Sequence, residues 1–300
     1  MSAFSATETA ACRQLATLAL LEDLGDVGDI TSLATIPAES VGRAVFVARK
    51  RGILAGVQAG SIVSALVDPS IRFEIHTEDG SDLEPGMRIA TISGTVRSIL
   101  AIERTALNFM QRLCGIATLT RSYVELLEGL PTKILDTRKT TPGWRRLEKY
   151  AVRMGGGTNH RVGLFDGMLV KDNHLESIQA QSGASSPLDP VLWRTLAERI
   201  ERFRQIYPGT PVEIEVDSLD QLRLALALKP EIVLVDNFPV ERLIRAVEVR
   251  NSLAPAALLE ASGGIAKETL RAVAETGVER ISIGALTHSA IALDIGLDYE

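Results

Sequence analysis

Four cations, Arg138, Lys139, Arg161 and Lys171, stand with His160 at the edges of loop-like stretches, next to Pro142-Gly143 and Gly155-Gly156-Gly157. Arginine in such places matters because its planar fork grips a carboxylate through two parallel hydrogen bonds. Several such groups side by side call for a ligand with more than one negative charge. From Lys133 to Arg161 eight basic residues face only two acids, Asp136 and Glu148, in a chain whose formal net charge is −6. A basic island in an acidic protein suits capture of a small anion better than tracking a nucleic acid backbone. The bland alternative, a solvated helix face, fits Arg145, Arg146, Lys149 and Arg153, which fall inside a helix-like run.

Two acids form the opposing set. Glu215 and Asp236 close neighbouring strand-like runs, and such a pair can hold Mg²⁺, which keeps several waters and shares its shell with substrate phosphates. The same acids could instead cap the helices that follow, a job open also to Asp217, Ser218 and Asn237. Ser262-Gly263-Gly264 and Gly284 to His288 are the glycine turns after the last two strands, where backbone N–H groups near a helix start can hold a phosphate. Gly155 to Gly157 match neither a P-loop nor a dinucleotide fingerprint. Of four histidines, only His160 and His288 fall at expected site edges; no two have the helical spacing of a zinc site, and His76 and His174 read as structural.

These residues need elements to hold them. An amphipathic helix is expected over 7–24, a strand over 41–48 continued by 53–56, a short helix over 59–66, and another strand near 73–76. Asp82 to Gly94 has the look of the hammerhead in biotinyl and lipoyl carriers. Such a carrier needs a lysine at the hairpin tip, and none occurs between Arg51 and Lys133, so an ordinary strand–turn–strand is expected. A long helix over 98–128 should break near Gly115, and 177–190 should be a loop. Beyond the long helix, strand-like runs beginning with Ile134-Leu135 and Met168–Lys171 alternate with helix-like ones, which predicts a parallel sheet with helical crossovers. Glu215, Asp236, Ser262 and Gly284 recur at strand ends with spacings of 21, 26 and 22 residues, one βα unit each. Arg138 and Lys171 take equivalent places earlier, and gathering strand ends on one face is how a (β/α) barrel builds its site. The expectation is an α+β domain over 1–115 and an α/β barrel catalytic domain over 116–289, with the tail from about 290 to 300 returning to the first domain.

Three hundred residues, 46% of them hydrophobic, can bury a large core. Cys12 and Cys114 sit far apart and show no paired spacing, so neither a zinc ribbon nor a disulfide framework is expected, and a reducing compartment fits them. No window nears the roughly 18 apolar residues of a spanning helix, and no leader pattern opens the chain. A cytoplasmic protein with neither membrane nor nucleic acid partners is expected.

The motifs Thr137-Arg-Lys-Thr140, Glu148-Lys-Tyr-Ala-Val152, Gly155-Gly-Gly-Thr-Asn-His-Arg161 and Lys171-Asp-Asn-His174 together resemble the quinolinate phosphoribosyltransferase family. Gly28-Asp-Ile-Thr31, Glu103-Arg-Thr-Ala-Leu-Asn108, Glu213-Ile-Glu-Val216, Leu234-Val-Asp-Asn237, Glu260-Ala-Ser-Gly-Gly264 and Gly284-Ala-Leu-Thr-His288 extend the likeness over nearly the whole chain. Trp144 and an insert-like Gln181 to Pro187 depart from it. The resemblance implies phosphoribosyl transfer from phosphoribosyl pyrophosphate to quinolinate with loss of pyrophosphate and CO₂, giving nicotinate mononucleotide for NAD. It implies Mg²⁺, a homodimer with shared sites or a hexamer built as a trimer of dimers, and an N-terminal open sandwich joined to an incomplete, roughly seven-stranded barrel. By position, Arg138, His160, Arg161 and Lys171 would hold the quinolinate carboxylates, and Arg104 would reach the neighbouring subunit's site. Lys139 would lie between substrate and pyrophosphate, and Glu215 and Asp236 would meet Mg²⁺ and the ribose hydroxyls. Ser262, Gly263, Gly264 and Gly284 would take the 5′-phosphate beside His288. The rivals are an enzyme using nicotinate or another dianionic acid, a Schiff-base lyase on Lys139 or Lys171, and a carrier or binding module.

Overall fold

A computed structural model describes residues 4–300. In chain order come α1 (Ala6–Leu24), α2 (Ile30–Thr35), β1 (Val41–Ala48), β2 (Gly52–Ile53), α3 (Val57–Val67), β3 (Arg72–Ile75), β4 (Asp82–Leu83), β5 (Arg88–Thr95) and α4 (Val96–Val124). Then follow β6 (Lys133–Leu135), α5 (Arg145–Met154), β7 (Met168–Val170), α6 (Asp172–Ser182), α7 (Pro190–Ile206), β8 (Val212–Val216) and α8 (Leu219–Ala227). The chain ends with β9 (Ile232–Asp236), α9 (Val240–Leu253), β10 (Leu258–Ser262), α10 (Lys267–Glu275), β11 (Arg280–Ser282), α11 (Ala285–His288) and β12 (Ile295–Tyr299). Two compact units result: one comprises Met1–Ser122, Lys139–Asn159 and Gly284–Glu300, the other Tyr123–Arg138 and His160–Ile283.

The first unit is built on an antiparallel sheet in the order β12-β1-β5-β3. β12 pairs with β1 from Ala44↔Tyr299 to Ala48↔Ile295, so the chain end does return to the first strands. Phe46, Ile92, Ile102, Met110 and Leu113 are buried in its core. The start of α1 is set by a reciprocal cap: Ser5 Oγ accepts from the Glu8 N–H at 3.3 Å while the Glu8 carboxylate accepts from the Ser5 N–H at 2.7 Å.

Three expectations are corrected here. β2 does not continue the main sheet but pairs with β4 in a separate ribbon, so the two arms of Asp82–Gly94 belong to different sheets. α4 passes through Gly115 unbroken, because that glycine serves close packing: a Cβ there would collide with the Ile291 carbonyl oxygen. Gly115→Ala is expected to cost about 1–3 kcal/mol through overpacking, read as a lower denaturation midpoint; an unchanged midpoint would refute the close-packing role. In α5, Lys149 is fully buried and Arg145 and Arg146 are half-buried, which leaves Arg153 alone on an exposed face. α5 packs against α1 and α11, and its buried Glu148 accepts from Arg112 Nη2 at 2.7 Å.

The second unit holds a parallel sheet in the order β6-β11-β10-β9-β8-β7. Its six strands are one fewer than the resemblance implied, and the sheet stays open, with β6 and β7 as its edges. The segment expected to be a loop over 177–190 is helical through Ser182. Leu175 and Ile178 bury one side of α6, and Gly183, at φ +73, ends it.

Register then decides which side chains meet. Paired residues of parallel strands share a face, as do residues two apart on one strand. Leu169↔Glu213, Glu215↔Leu234, Leu234↔Glu260, Asp236↔Ser262 and Glu260↔Arg280 are such pairs. One face of the sheet therefore carries Glu213, Glu260 and Arg280, and nearer the carboxyl ends Glu215, Asp236 and Ser262. The opposite face carries Ile214, Val216, Val233, Val235, Leu259 and Ile281, all buried.

Candidate active site

In the second unit the cations and acids converge as the strand ends require. Lys171, first residue past β7, makes an ion pair from Nζ to Glu215 Oε2 at the end of β8. Arg161 is half-buried, and its Nη1 donates to the Gly167 carbonyl at 2.9 Å, closing the loop 161–167. Asp166 steadies that loop by accepting from the N–H groups of Val162 (2.7 Å) and Gly163 (3.0 Å). Burial, and after it the nearby charge of Arg138, push the Arg161 guanidinium below its ordinary pKa. Two guanidinium charges this near make a standing attraction for a dianion.

His160 is held on several sides. Its N–H donates to the buried Asp136 carboxylate at 2.8 Å, and its Nδ1 accepts from the Arg161 N–H at 2.7 Å. Nε2 lies 3.1 Å from Glu213 Oε2 and 3.4 Å from Glu260 Oε1. Burial opposes a charged ring, but the hydrogen bond to Glu213 and the charges of both glutamates outweigh it and raise the imidazole pKa. The Arg161 N–H pulls the other way, since a second ring proton on Nδ1 would face it. The short Nδ1 bond is the firmer constraint, and it fits the Nε2–H form directed at the glutamates.

Glu213 and Glu260 are the residues that sequence reasoning did not single out for the site. Burial first, and Glu213 second, push the Glu260 carboxyl up. Arg280 Nε donates to Glu260 Oε2 at 2.7 Å, while Glu213 Oε1 and Glu260 Oε1 find no hydrogen-bond partner among the described residues. The ligand atoms of His160, Glu213 and Glu260 lie within 4.8 Å of one another. Their signal was available: Glu213 and Glu260 each stand two residues before a chosen strand-end residue, Glu215 and Ser262, and so face the same side.

Asp236 is half-buried and accepts from Asn237 Nδ2 at 2.7 Å. Glu215 and Asp236 offer hard carboxylate oxygens from neighbouring strands on one face, a donor set that fits Mg²⁺ better than a softer metal. Ser262 pairs with Asp236 across the sheet, and Gly263 and Gly264 both take positive φ just before α10. In the first unit Lys139, Gly284 and His288 come together: a Cβ on Gly284 would lie 2.9 Å from Lys139 Cδ and 3.3 Å from His288 Nε2. Thr287 Oγ1 donates to the Lys139 carbonyl at 2.7 Å. Arg104 is exposed on α4 and has no hydrogen-bond or ion-pair partner among the described residues. It lines a cavity of about 300 Å³ with Leu15, Leu18, Asn108, Phe109 and Trp144.

An open parallel βα sheet whose carboxyl ends carry paired cations, paired carboxylates and a glycine turn defines an enzyme for small phosphorylated, anionic substrates. The chain belongs to the quinolinate phosphoribosyl transferase family: the family's N-terminal domain matches residues 29–114 and its C-terminal domain residues 116–298. The chain is 42% identical over 290 residues to the nicotinate-nucleotide pyrophosphorylase [carboxylating] of Mycobacterium leprae, covering 96% of this chain and 97% of that one. It is 40% identical to quinolinate phosphoribosyltransferase [decarboxylating] 1b of Nicotiana tabacum, over 94% of this chain and 81% of that protein. The solved nicotinate-nucleotide pyrophosphorylase of Francisella tularensis superposes with a TM-score of 0.86 at 37% identity, covering 97% of both chains.

Proposed function

We propose that the protein transfers phosphoribosyl from phosphoribosyl pyrophosphate to quinolinate with decarboxylation, forming nicotinate mononucleotide, pyrophosphate and CO₂. Carrying that reading is the Lys171–Glu215 ion pair in the same unit as Arg161, whose half-buried guanidinium lies near the charge of Arg138. Carboxylate-binding and sugar-handling groups there sit side by side.

Arg138, Arg161 and Lys171 hold the two adjacent carboxylates, with His160 fixing the Arg161 main chain. Attack of the pyridine nitrogen on the anomeric carbon breaks the bond to pyrophosphate and builds positive charge on the ribose. Glu215 and Asp236 are placed to stabilise that charge as it develops. The ring carbon then loses its carboxyl as CO₂, and the electron pair left behind takes up a proton. Glu215 and Asp236 would hold Mg²⁺, which offsets charge on the departing pyrophosphate. Ser262, Gly263 and Gly264 take the 5′-phosphate.

Pyrophosphate and CO₂ release from quinolinate, but not CO₂ from nicotinate, is expected, with activity lost in chelator and restored by Mg²⁺. Pyrophosphate from nicotinate alone would transfer the assignment to a nicotinate enzyme.

A homodimer accounts for two further features. Leu18 and Leu21 on α1 are 63% and 61% exposed, and Leu18 lines the cavity that holds Arg104, which has no hydrogen-bond or ion-pair partner among the described residues. A second copy would cover that apolar face and receive Arg104 in its own site. Mixing inactive Arg104→Ala and Lys139→Ala proteins should then restore part of the activity by exchange, and no recovery despite demonstrated exchange would count against action in trans.

A further inference from the structure

Asn237 is one of two non-glycine residues with positive φ among the described residues, at +55°, immediately after Asp236. Asparagine tolerates the left-handed region better than most residues, so a local turn alone could explain it. Its contacts say more. Nδ2 donates to Asp236 Oδ2 at 2.7 Å, and the backbone N–H donates to the Ser262 carbonyl at 2.9 Å. On the other side it abuts Gly263: a Cβ there would collide with Asn237 Oδ1 and lie 3.0 Å from its backbone N. Gly263 also takes φ +94°, so the turn after β10 is shaped against this one residue. Asn237 itself is exposed, so core packing does not account for these contacts.

We propose that Asn237 is a positioning residue, bracing the Asp236 carboxylate with its amide and the Ser262–Gly264 turn with its backbone and carbonyl edge. It thereby fixes the spacing between the group that meets the ribose hydroxyls and the turn that takes the 5′-phosphate. The proposal rests on the phosphoribosyl reading above. It makes a sharp distinction between the two substrates, because Asn237 touches neither Arg138, Arg161 nor Lys171.

Two variants separate amide from backbone. Asn237→Gly keeps the left-handed conformation and removes the amide; Asn237→Asp keeps the shape but replaces the donor by a charge facing Asp236. Lys229→Gly, at the other positive-φ residue, reports a backbone effect remote from the site. Expected for Asn237→Gly is a KM for phosphoribosyl pyrophosphate raised about tenfold, the scale of one lost hydrogen bond to a charged group, with a larger rise for Asn237→Asp. The KM for quinolinate and the unfolding midpoint should stay unchanged, as should all parameters of Lys229→Gly. A readout independent of turnover is calorimetric binding of ribose 5-phosphate in chelator, which should weaken in Asn237→Gly by a similar factor. Equal shifts in both KM values, or unaltered ribose 5-phosphate binding, would overturn the positioning role. Failure of the wild-type protein to bind ribose 5-phosphate or consume phosphoribosyl pyrophosphate would overturn the phosphoribosyl reading and the proposal with it.

Discussion

Replacing Arg161 with alanine is expected to weaken quinolinate binding by about 2–4 kcal/mol, the usual loss when one partner of an enclosed charge pair is removed. Two effects add up there. The forked contact to a carboxylate goes, and so does the Nη1 bond to the Gly167 carbonyl that closes the loop 161–167. Arg161→Lys separates them, since lysine keeps the charge without the fork and should recover only part of the affinity. Arg138→Ala should act in the same direction, with the Arg161–Gly167 bond still available to close the loop. Unchanged KM and kcat in both alanine variants would remove the carboxylate clamp from the mechanism.

Replacing Arg280 with alanine is expected to lower stability by about 3–5 kcal/mol, the scale of stripping one partner from a buried ion pair. Its side chain is 18% exposed and its guanidinium faces Glu260, whose side chain is 0% exposed. Without it, Glu260 and Glu213 remain enclosed beside the His160 ring, each with an oxygen that has no hydrogen-bond partner among the described residues. A paired replacement, Glu260→Leu with Arg280→Met, should recover most of the loss, because an apolar pair of similar volume replaces a buried ion pair at little cost. The denaturation midpoint distinguishes these outcomes. A single Arg280→Ala that costs under about 1 kcal/mol would show that solvent reaches the glutamates, as at a surface pair.

Both experiments probe one arrangement: charged residues on a single face of a parallel sheet, in two levels. At the inner level Arg280, Glu260 and Glu213 surround His160, which in turn holds the Arg161 main chain. At the outer level Lys171, Glu215, Asp236 and Ser262 stand at the strand ends. The buried acids thus lie next to Arg161, one of the residues proposed above to grip the substrate carboxylates.

How much of this was legible without coordinates follows from what each feature depends on. Local periodicity and βα spacing depend on the chain alone. The alternation of strand-like with helix-like runs, the strand ends at Glu215, Asp236 and Ser262, and the cations at Arg138, Arg161 and Lys171 were therefore readable in order. Even the motifs that define the family lie in short contiguous runs. Tertiary structure alone decided the rest, because it depends on which strands become neighbours. Gly115 reads as a helix break until the Ile291 carbonyl is seen to need its space. Lys149 reads as a solvated charge until α1 and α11 pack on α5. Glu213 and Glu260 stand 47 residues apart in the chain and share one imidazole only because β8, β9 and β10 align in parallel register. Residue types settled what chemistry was possible; strand register, set by long-range pairing, settled which of those residues could touch.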